Sequence, residues 1–457
     1  MSLAIKDMIK EKSLSPIFFV TPSVNRAIGL EKELGDFHIV CSQNSDVIEY
    51  MRKDGVNVFC LNDERIKNSG KLLESAAALS YVKEKSKGQK ANIITFKPSP
   101  KAAKICADNG FNYLGNDWKL NRRLENKVEF VSVMEKLKIP GAKCRAVKLE
   151  EGISPDSFKE LEKGCVVIQL PRGFSGNSTF LVKSKSELEK LIEKYKNRTV
   201  KVSEFLEGET YTIDACVGEF GVAISQPIYQ ITGLTDFNKN KLGTSGNDYA
   251  YAENLDFRAK ERIFSFTQKV GNYMKSLGYK GIFGLDLIVN GSNVDLVEIN
   301  PRFVGSISVI TKLQLLREEI PFLYLHIAEF LGSGHSLKVP DHYLSFESWS
   351  KKENFQASQL ILRNTAESFL EVAESLPSGI YKKSGNEIAL EEKSYYATRI
   401  LSEDEFFIQC AQKGSAINPD MEYANIQAGC GIMEKGKVRA GFSNTVDLIV
   451  KKIRFRS

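Results

Sequence analysis

Two short apolar runs joined by a polar turn constrain the fold of this chain more than any other feature. The runs cover residues 284–289 and 295–302, and an Asn-Gly-Ser-Asn turn separates them. Such a turn between two apolar runs is typical of a β-hairpin. Pairing of the two strands would bring together the side-chain oxygens of Asp286, Glu298 and Asn300. The sequence therefore predicts a cation site on this hairpin.

The donor atoms on these runs favour Mg²⁺ over a softer metal. Mg²⁺ takes carboxylate and amide oxygens together with substrate phosphates in an octahedral shell, and it does not need thiolate or imidazole. Two acids on a hairpin rim can also be simply solvated, but acids inside apolar runs are costly unless they are paired or metal-bound. Arg302 adds a planar fork of donors that suits a phosphate or a carboxylate.

The motif order, Gly-x-Asp followed by Glu-Ile-Asn-Pro-Arg, resembles the metal-binding end of the ATP-grasp superfamily. Three upstream segments resemble further parts of that family in the expected order. They are Leu-Glu-Asn-Lys at 124–127, a strand and glycine loop at 165–178, and a hinge at 202–209. The resemblance extends over roughly residues 90–335. It implies a two-lobed fold with ATP and Mg²⁺ as cofactors, and Mn²⁺ is left open as an alternative ion.

By this resemblance the nucleotide lies between the two lobes. A lysine would bind a phosphate, a glycine loop would cover the phosphates, and the hinge would bind adenine through its main chain. The implied nucleotide-binding residues are Lys127, Gln169, Gly173, Ser175, Gly176, Glu204, Phe205, Leu206 and Glu209. Taken singly, an exposed helix lysine and an ordinary Gly/Ser turn are the simpler interpretations, so the prediction depends on the order of the motifs.

Three positions depart from the family pattern. Gln169 stands where the family has a second lysine, and Ser203 and Thr210 stand where acids are expected, although Glu209 is adjacent to Thr210. Gln169 can donate a hydrogen bond but carries no charge. Residues that could restore the missing charge are Arg172, Lys239 and Lys241.

The expected fold is mixed α/β and α+β. The predicted regions are an N-terminal open α/β domain at 1–116, the ATP-grasp small lobe at 117–201, the large lobe with the Mg²⁺ site at 202–335, and a β-rich α+β extension at 336–457. The first region has no Gly-x-Gly-x-x-Gly turn, so dinucleotide binding there is unsupported. A stretch at 233–249, rich in Gly, Asn, Asp, Ser and Lys, is expected to be a mobile loop unless nucleotide orders it.

Composition excludes several classes of protein. The net charge is +6, and no Lys/Arg run interleaves with aromatic residues, so no nucleic-acid partner is expected. Eight cysteines without a Cys-x-x-Cys pair fit a reducing cytoplasm. The N-terminus is too charged for a signal peptide, and no apolar stretch approaches the roughly 18 residues of a membrane helix. Residues 431–437 approximate a P-loop, but Val438 replaces the required Ser or Thr, which indicates a hairpin turn.

The predicted function is that of an ATP-dependent ligase. It would activate a carboxylate as an acyl phosphate and join it to an amine, releasing ADP and phosphate. Arg302 is the expected catalytic residue, and the small residues Gly305, Ser306 and Ser308 leave space for the acceptor carboxylate or form a helix start capped by Ser306. Two alternatives stay open: a non-catalytic nucleotide-binding scaffold, and an ATP-grasp enzyme with a non-amine nucleophile. Small-molecule carboxylates and amines are the expected partners, and a homodimer is left open.

Overall fold

The computed structural model describes residues 15–150, 153–160, 164–173 and 178–456. Strands and helices alternate in its N-terminal part. They are β1 (Ile17–Val20), β2 (Phe37–Cys41), α1 (Asp46–Lys53), β3 (Asn57–Cys60), α2 (Ser69–Glu74), α3 (Ala76–Lys85), β4 (Asn92–Thr95), α4 (Pro100–Asp108) and β5 (Asn112–Tyr113). The strands are parallel in the order β3-β2-β1-β4-β5, which confirms the predicted open α/β sheet.

Both faces of this sheet are covered. Along β1, Ile17 and Phe19 pack into one apolar cluster, whereas Phe18 and Val20 pack into another. Successive side chains of a strand point to opposite faces, so a strand buried on both faces is a continuous apolar run. This explains why the sequence of β1 shows no alternation.

A small antiparallel sheet follows, in the order β6-β9-β7-β8. Its elements are α5 (Trp118–Leu124), α6 (Lys127–Leu137), β6 (Cys144–Lys148), β7 (Val166–Gln169), β8 (Thr179–Val182), α7 (Lys185–Lys194) and β9 (Thr199–Glu204). Val200 and Val202 of β9 join the apolar cluster of this lobe. Because side chains alternate along a strand, the residues between and after these two valines face the other way.

An 11-stranded sheet organises the remaining chain, in the order β15-β14-β10-β12-β13-β16-β22-β20-β18-β19 with β11 on β10. Its strands are β10 (Glu209–Gly218), β11 (Gly221–Ile224), β12 (Ile228–Thr232), β13 (Thr244–Asp248), β14 (Gly281–Asn290), β15 (Asn293–Asn300), β16 (Ser358–Arg363), β18 (Gly379–Ser384), β19 (Glu387–Lys393), β20 (Glu405–Cys410) and β22 (Glu422–Ala428). The sheet crosses the predicted boundary at residue 335 without interruption. The predicted boundary at residue 335 therefore does not coincide with the end of a sheet. The division of the chain into domains stays a prediction.

Helices and small sheets complete this part. They are α8 (Phe257–Ser276), α9 (Ile307–Leu316), α10 (Phe322–Phe330), α11 (Asp341–Leu344), α12 (Phe346–Ser350), α13 (Ala440–Lys451), the sheet of β17 (Leu370–Glu374), β21 (Ala416–Ile417) and β25 (Arg454–Arg456), and the hairpin of β23 (Met433–Glu434) and β24 (Lys437–Val438). The last pair confirms that the segment resembling a P-loop is a hairpin, with Met433 paired to Val438.

The segment predicted to be a mobile loop contains a strand, so that prediction is wrong for residues 244–248. β13 pairs with β12 on one side and with β16 on the other. Its sequence, Thr-Ser-Gly-Asn-Asp, has little intrinsic preference for a strand. Neighbouring backbone holds it in place, and its Asp248 carboxylate accepts backbone N–H groups from Ile432 and Met433 at 2.7 and 2.9 Å.

The β14–β15 hairpin separates an apolar face from a polar one. Leu285 and Leu287 are almost completely buried in the main apolar cluster of the large sheet. Asp286, between them, points to the other side of the sheet because strand side chains alternate. Burial of the two leucines thus anchors the strand that carries the predicted metal ligand.

We expect Leu285→Ala to lower the free energy of unfolding by about 2–5 kcal/mol, because it leaves a cavity beneath the hairpin. Guanidinium unfolding followed by circular dichroism measures this. Leu390→Ala is the matched control, since Leu390 is 36% exposed. Equal losses in the two variants would contradict the anchoring role of Leu285.

Candidate functional site

The hairpin brings the three predicted metal ligands together. Asp286 lies directly opposite Glu298 in the antiparallel register, and Asn300 lies opposite Gly284. The Asp286 carboxylate accepts hydrogen bonds from Asn300 Nδ2 at 2.9 Å and from Gln230 Nε2 at 3.0 Å. The oxygens of the two acids therefore face one small volume at the end of the hairpin.

The two acids repel each other in that volume. Burial, together with the nearby Glu298 carboxylate, raises the pKa of Asp286 to about 6. A divalent ion between the two acids would relieve their repulsion. Among the described residues, no group of three or more His, Cys, Asp or Glu side chains is placed to hold a metal. The donor set is two carboxylates and an amide, which fits Mg²⁺, an ion that retains waters and binds substrate phosphates.

Lys127 is buried and paired with one of these acids. It lies in the first turn of α6, is 4% exposed, and its Nζ is 2.7 Å from Glu298 Oε1. Its backbone N–H donates to Pro171 O at 3.0 Å, which ties the start of the helix to the segment after β7. An ion bound to Glu298 would compete with this pair, and the ammonium would then be available to a phosphate.

Arg302 is held in place at the end of the hairpin. Its guanidinium donates to Asn300 Oδ1 at 3.0 Å and to the backbone oxygen of Phe303 at 3.0 Å, and its Nε is 3.4 Å from Glu125 Oε1. Its side chain is 17% exposed and lines the cleft between the lobes. A fixed, partly accessible guanidinium is well suited to a bidentate contact with an anion.

The hinge residues and Gln169 also line this cleft. Phe205 is 40% exposed, and Leu206 follows it, so apolar surface is presented beside the end of β9. The backbone N–H of Lys143 donates to Glu204 Oε1 at 3.3 Å. Gln169 Nε2 donates to Thr179 Oγ1 at 3.1 Å. Gly173 lines the cleft, whereas Ser175 and Gly176 lie outside the described residues.

Glu209, predicted to bind the nucleotide, does not face the cleft. Its carboxylate accepts hydrogen bonds from Tyr211 Oη at 2.9 Å and from Tyr251 Oη at 2.6 Å. Thr210, the next residue of β10, lines the cleft instead. The prediction chose the wrong face because neighbouring strand residues point in opposite directions.

Both lysines suggested as substitutes for the charge missing at Gln169 lie away from the cleft. Lys239 forms an ion pair with Glu367, and neither Lys239 nor Lys241 lines the cleft. Arg172 does line the cleft, but it is exposed.

Sequence reasoning missed two residues of the site. Gln230, on β12, donates to Asp286 as described above. Lys201, on β9, is 3% exposed, donates from Nζ to Val297 O at 3.0 Å, and has Nζ 4.3 Å from the centre of the Phe130 ring. Burial lowers the pKa of Lys201 to about 8. The available signal was a lysine alternating with Val200 and Val202 beside the hinge.

Ser306 does not cap α9, in contrast to one of the two predicted roles. Its Oγ donates to Asp214 Oδ2 at 2.8 Å, and the helix start receives no side-chain cap from it. Asp214 is buried on β10, and burial raises its pKa to about 7. Its other oxygen, Oδ1, has no hydrogen-bond partner within the described part of the chain. A buried carboxyl with one oxygen unsatisfied by the described residues thus lies beneath the loop that follows Arg302.

The cleft is large and draws on all parts of the chain. Its volume is about 2350 Å³, and Arg26 of the N-terminal part and Arg363 of β16 line it together with the residues above. Such a cleft can hold a nucleotide and a second small molecule side by side.

Comparison with known proteins confirms the predicted resemblance to the ATP-grasp superfamily. Residues 124–306 match the family model described as the ATP-grasp domain, so the chain carries an ATP-grasp domain. Over 208 residues it is 25% identical to the arginine-specific large chain of carbamoyl phosphate synthase from Geobacillus stearothermophilus. The match covers 44% of this chain and 19% of that protein, so this chain spans about a fifth of the relative's length.

Solved structures share the fold along nearly the whole chain. Biotin carboxylase from Campylobacter jejuni superposes with a TM-score of 0.63 at 14% identity, over 98% of this chain and 93% of that one. Carboxyaminoimidazole ribonucleotide synthase from Aspergillus clavatus, complexed with ATP, gives 0.56 at 14% identity, over 96% of this chain and 100% of that one. The predicted mixed α/β architecture is confirmed. Within the described residues, no helix combines the length and apolar character needed to cross a membrane.

We expect the buried carboxyl of Asp214 to make stability depend on pH. In the unfolded chain an aspartate ionises near pH 4, whereas the folded protein retains this proton up to about pH 7. The folded state therefore binds more protons between these values, and the free energy of unfolding falls as pH rises through them. Asp214→Asn should reduce that loss by on the order of 2–4 kcal/mol.

Denaturant unfolding of wild type and Asp214→Asn at pH 4, 5, 6 and 7 measures this difference. Glu403→Gln, a substitution of an exposed acid, serves as the control and should follow the wild type. A wild-type curve parallel to that of Asp214→Asn would show that Asp214 ionises normally.

Proposed function

We propose that this protein is an ATP-dependent ligase that activates a carboxylate as an acyl phosphate and joins it to an amine, releasing ADP and phosphate. The observation that carries the proposal is the register of the hairpin, which sets Asp286 opposite Glu298 within a cleft. Lys127 and Arg302 flank this pair. Two acids with flanking cations suit a metal-bound polyphosphate better than they suit an uncharged ligand.

The reaction follows from the weak electrophilicity of a carboxylate. An oxygen of the substrate carboxylate attacks the γ-phosphorus of ATP, the bond from this phosphorus to the bridging oxygen breaks, and ADP leaves. The amine then attacks the acyl carbon, inorganic phosphate leaves, and the amine loses a proton. Mg²⁺ held by Asp286, Glu298 and Asn300 would neutralise charge on the phosphates during the transfer.

The chain's own residues have separate roles in this scheme. Lys127, now paired with Glu298, would bind a phosphate oxygen instead if that carboxylate held the cation. Arg302 orients the acyl phosphate through its guanidinium, which Asn300 and the Phe303 carbonyl already hold in position. Hydrogen-bond donors fixed before the reaction lower the barrier because they need no reorganisation as charge develops.

Phe205 and Leu206 provide the apolar surface on which adenine would stack. Thr210, which faces the cleft in place of Glu209, offers a hydroxyl near that end of the site. Its Oγ1 already donates to Gln230 O at 2.9 Å, so a ribose contact would use its lone pairs. A weaker ribose contact is the physical consequence of replacing an acid with threonine at this position.

The names of the relatives guide the choice of substrates. Carbamoyl and carboxy groups are one-carbon carboxylate derivatives, so bicarbonate belongs in the test beside larger organic acids. Incubation with ATP, Mg²⁺ and pools of carboxylates and amines, followed by phosphate release and product mass, tests the proposal. Phosphate release that requires both a carboxylate and an amine supports it. Tight ATP binding without turnover supports the scaffold alternative, and a product without nitrogen supports a non-amine nucleophile.

We expect Glu298→Gln to lower the rate of ATP-dependent phosphate release at least about 100-fold, because the cation loses a charged ligand at the point of phosphoryl transfer. Steady-state phosphate release at several Mg²⁺ concentrations measures the effect.

The matched control for Glu298→Gln is Asp295→Asn, which alters an acid on the same strand that does not line the cleft. Its activity should stay close to that of the wild type. Unchanged activity in Glu298→Gln would contradict a role for the β14–β15 hairpin in phosphoryl transfer.

A further inference from the structure

Lys201 is a buried ammonium in contact with the cleft. Only 3% of the residue is exposed, yet it lines the cleft beside Lys127 and Gln169. Its observed polar partner is the carbonyl oxygen of Val297 at 3.0 Å. In the part of the chain that the structure describes, it has no ion pair with a carboxylate. Burying a charged ammonium is costly unless an opposite charge compensates it.

The strand register places Lys201 where it can act on the same ligand as Gln169. In the antiparallel pairing of β7 and β9, Gln169 is directly opposite Lys201. Residues directly opposite each other in a sheet project from the same face, with Cβ atoms about 5 Å apart. The face shared by these two residues is opposite to the one on which Val200 and Val202 pack. Both polar side chains therefore project toward the cleft.

Lys201 also lies beside the metal hairpin. Val297, whose carbonyl it contacts, immediately precedes Glu298, and the charges of Glu298 and Lys127 both act on its ammonium. Lys127 and Lys201 repel each other in this position. If a cation were bound to Glu298 in place of Lys127, an anion between the two lysines would compensate that repulsion.

We propose that Lys201 binds a phosphate of the nucleotide and supplies, from the neighbouring strand, the positive charge that Gln169 lacks. This inference rests on the proposed nucleotide site. The Gln169 amide and the Lys201 ammonium act as a pair: the amide orients by hydrogen bonding, and the ammonium carries the charge. Lys201 Nζ lies 4.3 Å from the centre of the Phe130 ring, and this cation–π contact would stabilise the ammonium in the absence of phosphate.

A purely structural role is the competing explanation, because the Val297 and Phe130 contacts link β9 to the hairpin and to α6. The two roles differ in which ligands they affect. A phosphate-binding lysine matters for ATP and ADP but not for adenosine, whereas a structural lysine affects all three through the shape of the site.

The test compares Lys201→Met, which keeps an apolar stem against Phe130, with Lys201→Arg and with wild type. Calorimetric titrations with ATP and ADP in the presence of Mg²⁺, and ligand-observed NMR with adenosine, give the affinities. We expect Lys201→Met to weaken ATP and ADP binding roughly 10- to 100-fold without changing that of adenosine, and Lys201→Arg to restore part of the loss. Lys148→Gln, an exposed lysine in the same small sheet, is the matched control and should bind ATP like the wild type.

Equal losses for ATP and adenosine, or an unchanged ATP affinity in Lys201→Met, would overturn the inference. Failure of wild type to bind ATP would instead refute the proposed function itself, so the two failures are distinguishable. Thermal melting checks the fold of each variant.

If the variants do not fold, wild type alone provides the answer. Acetylation of Lys201 by acetic anhydride, followed by mass spectrometry, should be slowed by ATP with Mg²⁺ and not by adenosine. Acetylation that ATP leaves unchanged would contradict phosphate binding by Lys201.

Discussion

The pairing of Asp286 with Glu298 across the β14–β15 hairpin is the constraint on which the rest of the site depends. Two acids fixed opposite each other repel, and burial of Asp286 strengthens that repulsion. The surrounding side chains compensate this repulsion. Lys127 forms an ion pair with Glu298, and the side-chain amides of Gln230 and Asn300 donate hydrogen bonds to Asp286. The site thus contains the partners that a cation and a phosphate would replace.

The large sheet explains how such a charged group is tolerated. On the apolar side of the hairpin, Leu285 and Leu287 pack into a core shared by strands from both sides of residue 335. That burial favours one register, since a slip by a single residue would place the leucines in the cleft and the acids in the core. Hydrophobic packing on one face therefore determines the electrostatic geometry on the other.

Local features of the site could be predicted from the sequence, and distant ones could not. Asp286 and Glu298 are joined by a short turn, so strand periodicity and an Asn-Gly signal suffice to place them together. Lys201 reaches Val297 across 96 positions of sequence, and only the packing of the small lobe against the hairpin brings them close. The prediction for Glu209 was wrong for a different reason. Shifting a motif by one residue matters little in a loop, but in a strand it moves the side chain to the opposite face of the sheet. The strand at Thr244–Asp248 was missed because its pairing partners, rather than its own residues, make it extended.

The positions of Lys127 and Lys201 suggest an order of events during binding. Before nucleotide arrives, Lys127 neutralises Glu298, so that acid cannot bind a cation without releasing the lysine. A cation that binds together with a polyphosphate would give Lys127 a new anionic partner when Glu298 binds the cation. A free cation would leave the buried ammonium groups of Lys127 and Lys201 facing each other. In the proposed site this would disfavour binding of the free ion relative to binding of the ion together with phosphate. In the proposed site, Lys201 would increase this difference because it adds positive charge that a phosphate would compensate, and the site would thereby select the metal–nucleotide complex over the free metal.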